Sequence, residues 1–150
     1  MDKYILGDLV SVYVGVKKYI VEVIGTANEN EALLYQIKFP NGEIQYADKD
    51  NIVPIPLTPE ILEKNGWNKS IGWSYVGSEE RGYQFSKELD DKWDELDRMT
   101  YGDLQICQCE NLRDWSYINE CNHYFRFEFT YVHELQHLLY ALHIDSNLKI

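Results

Sequence analysis

Cysteine is scarce and odd in number: Cys107, Cys109 and Cys121 are the only three. An odd count, with no secretory leader expected, favours reduced thiols over a disulfide framework. Long apolar runs are also missing. Charge or polar groups interrupt every one well before the roughly 20 residues that span a bilayer, so no membrane helix is expected. The segment Met1 to Gly7 carries Asp2 and Lys3 and no apolar stretch leading to a cleavage site, which predicts a cytoplasmic protein. Positive charge is the third shortage, with 14 Lys and Arg against 25 Asp and Glu and a formal net charge of -11. That deficit argues against sequence-independent binding to DNA or RNA, which rests on clustered cations. It leaves three kinds of partner: a protein, a small molecule held in a local pocket, or a second copy of the chain.

What is present suffices for a folded core. The 150 residues are 45% hydrophobic, enough for one ordinary domain or two small modules. Asp8 to Val14, Tyr19 to Ile24, Leu33 to Phe39 and Glu43 to Ala47 are rich in Val, Ile and Tyr and separated by turn residues, so each predicts a short strand. Pro40-Asn41-Gly42 predicts a hairpin, because Asn-Gly tolerates the positive φ angles of a primed turn. The expected fold class is α+β. A small SH3-like β-barrel or a meander is expected over residues 1–57, and an α+β module packed against it over residues 58–150.

In the second module Pro54-Ile55-Pro56-Leu57 predicts an extended connector. Thr58 as N-cap, Pro59 at the first helical position and Gly66 as a stop predict a helix from Pro59 to Asn65. Residues 67–85 are Gly-rich and aromatic, without a clear period. From Ser86, Leu89, Trp93 and Leu96 fall at helical spacing, with Glu88, Asp90, Asp91, Asp94, Glu95 and Asp97 on the other faces. That charge run is a solvated helix face or, in a sharper reading, an acidic docking surface or mimic of nucleic-acid charge. Leu104 to Cys109, Trp115 to Glu120 and Tyr124 to Phe129 predict three antiparallel strands, and Tyr131 to His143 a final helix.

His133-Glu134-Leu135-Gln136-His137 matches HExxH, in which two histidines a turn apart hold zinc and the glutamate activates its water. His143 lies at the spacing of a third metzincin ligand. Against this, Tyr140 stands where that pattern needs a glycine to bend the chain. On a straight helix His143 is ten residues past His133, about 1000° of rotation and roughly 15 Å of rise, beyond the reach of one ion. Neither a Met-turn nor a downstream glutamate ligand follows. Val132, Leu135, Leu138, Leu139 and Leu142 form an apolar stripe that explains the helix as a core element. The reading therefore favours no catalytic residue and no metal. Glu134 is the base, and His133, His137 and His143 the ligands, only if a zinc site forms. Cys107-x-Cys109 with Cys121-x-His123 offers a second set of four zinc ligands, against the simpler reading of buried thiols.

The run Ile52 to Trp67, with its Pro-Ile-Pro-Leu-Thr-Pro-Glu-Ile-Leu-Glu-Lys-Asn-Gly-Trp core, and the segment Tyr131-Val132-His133-x-Leu135-Gln136 resemble a family of small uncharacterised proteins of Bacteroidales genomes, prophages and phages. Gly7-Asp8-Leu9-Val10 is similar to that family's opening. The resemblance implies that HExxH is a local variant of a Val-His-x-Leu-Gln helix, and it implies a part in the contest between virus and host. The expectation is a non-catalytic binding protein that counteracts host defence by binding a host protein or by sequestering a small signalling ligand such as a nucleotide. Twelve Tyr and four Trp supply the amphipathic rings for such a surface. Trp67, Trp73, Tyr75, Arg81 and Tyr83 are the expected ligand-binding residues. A nucleotide would require Lys17, Lys18, Lys69 or Arg81 to gather at one pocket.

Overall fold

β-branched and aromatic residues dominate the N-terminal third, and in the computed structural model they form a sheet. The structure describes residues 4–74, 81–88, 103–109, 115–118 and 128–150. The chain divides into two compact units, one of Met1–Pro56 with Tyr131–Leu148, the other of Leu57–Thr130 with Lys149–Ile150.

The first unit contains strands β1 (Leu9–Val14), β2 (Lys17–Glu29), β3 (Ala32–Lys38), β4 (Ile44–Asp48) and β5 (Ile52–Pro54). They lie in the order β4-β3-β2-β1-β5, every pairing antiparallel. The sheet is open, with β4 and β5 at its edges. Side chains alternate across it: Val10, Val12, Val21, Val23, Tyr35 and Ile37 are buried, and the intervening residues mostly face out. The register places Val10 opposite Val21 and Tyr35 opposite Ala47, so the apolar residues meet across strands. Between Val23 and Gly25 a bulge lets β2 continue to Glu29, five residues past its expected end at Ile24.

Two turns differ from the expected chemistry. At the β3–β4 connection only Gly42 has positive φ (87°), and its N–H donates to the Phe39 carbonyl at 2.9 Å. Pro40, whose ring holds φ negative, takes the second position of that turn, the pattern of a type I turn followed by a left-handed glycine. The consecutive left-handed pair expected of a primed turn lies instead at Asn30 (φ 49°) and Glu31 (φ 65°), between β2 and β3. A one-turn 3₁₀ segment, Lys49–Asn51, joins β4 to β5, and Asp48 Oδ1 caps it by accepting from the Asp50 N–H at 3.1 Å.

The last helix in the chain, α2 (Val132–Ala141), belongs to this unit. Val132, Leu135, Leu138 and Leu139 are buried, and Tyr140 is 70% exposed, so the apolar stripe turns inward as its spacing predicts. Full burial of Leu135 and Leu139 contributes about 1.5–3 kcal/mol each. The helix ends before His143, which takes φ 58°. There the His143 N–H donates to Tyr140 and the Ile144 N–H to Leu139, the paired bonds of a Schellman cap.

The second unit contains α1 (Pro59–Lys64) and strands β6 (Asn68–Ser74), β7 (Arg81–Glu88), β8 (Asp103–Cys109), β9 (Trp115–Ile118) and β10 (Glu128–Phe129). The sheet order is β10-β9-β8-β7-β6, again antiparallel. Three of these strands overlap the three expected ones; β6 and β7 extend them to five. Ser86 to Glu88, read from sequence as the start of a helix, complete β7, while residues 89–97 lie outside the described residues. Thr58 caps α1 at the Ile61 N–H, and Gly66 (φ 80°) ends it. Fully buried Trp115 anchors the sheet, packing edge-on against Phe85 and donating from its indole to the Leu57 carbonyl at 3.2 Å.

Candidate functional site

Helix α2 sets the HExxH residues on its first two turns, and each has a visible structural task. The Glu134 carboxylate accepts from the Tyr131 N–H at 3.0 Å, satisfying one of the donors that a helix start leaves without an intrahelical partner. His133 is 3% exposed, its ring stacked on Tyr131 and edge-on to Tyr4. His137 Nε2 lies 2.8 and 3.0 Å from the two oxygens of Asp8, whose residue is 1% exposed. Asp8 also accepts from the Ile5 N–H at 2.8 Å, so a buried carboxylate has two polar partners.

Gln136 does the work of a strand neighbour. Its Oε1 accepts from the Leu9 N–H at 2.8 Å, and its Nε2 donates to the carbonyls of Gly7 (2.9 Å) and Ser146 (3.2 Å). One side-chain amide thus ties the start of β1 to the segment after α2. Gly7, at φ 95°, makes the bend that presents its carbonyl to this amide. A cleft of about 300 Å³ opens beside the group, lined by Gly7, Asp8, Gln136, His137 and Tyr140 among others.

The three histidines do not assemble. His143 stands on the exposed cap after α2, and among the described residues no group of three or more His, Cys, Asp or Glu side chains is placed to hold a metal ion. Cys107 is buried on β8, with Ser116 opposite in register; Cys121 and His123 lie outside the described residues.

The expected ligand-binding residues fall in the second unit. Trp67 is 3% exposed and follows the α1 cap, with the Lys87 ammonium 6.0 Å from its ring centre. It is a core residue. Trp73 lies on β6 opposite Gly82 of β7, Arg81 pairs with Ser74 and Tyr83 with Ile71, so the backbone gathers three of the five on one hairpin. Tyr75 lies outside the described residues. Of the four cations that could serve a nucleotide pocket, Lys17 lies over the Tyr19 ring at 5.0 Å.

A larger hollow was not anticipated from sequence. A cavity of about 730 Å³ opens in the first unit, with buried Tyr4, Tyr35 and Ile52 as apolar walls and Glu31, Asp48 and Asp50 among its polar lining residues. Leu33, 41% exposed, stands among its lining residues. The volume lies within the roughly 300–1,000 Å³ of ligand sites. No sequence signal marks it: the left-handed φ of Glu31, 65°, in a tight turn where glycine is preferred, shows only in the fold.

Comparison adds no relatives to these observations: no protein-family model, no curated protein and no solved structure matches the chain.

Proposed function

We propose that the protein is a non-catalytic binding protein and that the cavity between Glu31, Tyr35, Asp48 and Ile52 is its ligand seat. The observation that carries this reading is the cavity itself, a concave site of ligand size whose apolar walls and few polar groups have the composition of binding pockets. The fate of the HExxH residues supports it. Glu134 spends an oxygen on a helix cap and His137 Nε2 is held by a buried carboxylate, so the general base and one ligand of a zincin are committed to structure. On the resemblance to phage proteins of Bacteroidales, the bound species would be a host protein or a small signalling molecule, sequestered against host defence. The N-terminal unit is proposed to be a variant of an SH3-like module; its strand order and the 3₁₀ turn before β5 support this.

The test is a calorimetric and thermal-shift screen of nucleotide second messengers and purified host proteins against the wild type and Leu33→Trp, which adds bulk at an exposed lining residue. A ligand that stabilises the wild type and leaves Leu33→Trp unmoved supports the seat. Peptidase turnover that disappears with Glu134→Ala would overturn the non-catalytic reading.

A further inference from the structure

We propose that the cavity of the first unit takes a lysine- or arginine-bearing segment of a partner protein, an inference that rests on reading that cavity as the binding seat. Three of its lining side chains are carboxylates, Glu31, Asp48 and Asp50, against one ammonium, Lys49. Among the described residues none of the three carboxylates forms an ion pair. Asp48 uses Oδ1 to cap the 3₁₀ turn and keeps Oδ2 for other donors. Tyr4, Tyr35 and Ile52, 4%, 2% and 6% exposed, give the cavity apolar walls. A hollow with greasy walls and acidic lining groups complements a side chain with a methylene stem and a cationic head. A phosphate would instead meet three like charges.

The shape of the surroundings favours a chain segment over a free cation. Asp48 ends β4, and among the described residues β4 is an edge strand, with no strand paired to its outer side. An extended peptide can add to such an edge while one of its side chains enters the neighbouring cavity.

The experiment titrates the full chain with hexa-arginine and hexalysine peptides, and with hexaglutamate, spermidine and ATP. Two charge-matched double variants are compared. Asp48→Asn/Asp50→Asn neutralises the cavity and keeps an N-cap acceptor, since asparagine caps as well as aspartate. Glu22→Gln/Glu63→Gln neutralises two exposed carboxylates that do not line it. The basic hexapeptides are expected to bind, about tenfold or more weakly to the cavity variant and unchanged to the control. An equal loss in both variants would reduce the effect to net charge and overturn the proposal, as would spermidine binding as tightly as the peptides. If ATP or another non-cationic ligand binds the wild type and not Leu33→Trp while the basic peptides fail, the seat stands and the inference about charge falls. Should no probe and no screened ligand bind, both fall.

Discussion

Single residues in the first unit carry bonds that connect distant parts of the chain, and their removal should show it. Gln136→Leu leaves the Leu9 N–H and the Gly7 carbonyl without their partner, a loss expected to cost about 1–3 kcal/mol in denaturant unfolding. Glu134→Ala removes the carboxylate that accepts from the Tyr131 N–H and should cost about 0.5–2 kcal/mol with ligand affinity intact. A metallopeptidase would show the reverse, with activity lost and stability kept. Glu31→Gly should act in two directions. Glycine relieves the left-handed strain and gains about 0.5–1 kcal/mol of stability, read as a higher unfolding midpoint, while a carboxylate leaves the cavity and basic peptides bind less tightly. Stability gained without any loss of affinity would remove Glu31 from the site.

At the scale of elements, the α2 stripe is the clearest case of local pattern and tertiary role agreeing. Leu139→Ala, at a position with no exposure, should cost about 2–5 kcal/mol by lost burial and cavity formation, measured by the same unfolding experiment. Tyr140→Ala, on the exposed face of the same helix, should change stability by less than about 0.5 kcal/mol. Strands β1, β3 and β4 and helix α1 were legible because alternation, β-branching and capping residues all point the same way. Two elements were not, for identifiable reasons. The β6–β7 hairpin carries a bulge between Ile71 and Trp73, and one inserted residue breaks the period-2 pattern that announces a strand. Strand β2 passes through Gly25 by the same device, so a glycine that reads as a boundary is interior to the strand. The cavity had no sequence signature at all, since Tyr4, Glu31, Tyr35 and Asp48 come together only through the sheet and its turns.

For the whole molecule, the consequence is that the HExxH helix and the proposed seat lie in one unit, with the helix serving packing and hydrogen bonding. Periodicity shows that a helix face is apolar but not which surface covers it. Gln136 and His137 find their partners 129 residues upstream, at Gly7 and Asp8. The central claim is therefore that the first unit is held together by α2 and binds elsewhere. Backbone amide shift mapping by NMR with a bound basic hexapeptide tests it most directly. The account predicts a footprint centred on residues 31–35 and 48–54, reaching Tyr4 and its ring neighbour His133 at most, with 134–137 unperturbed. A footprint centred on His133, Glu134 and His137, with peptide cleavage during the titration, would contradict it.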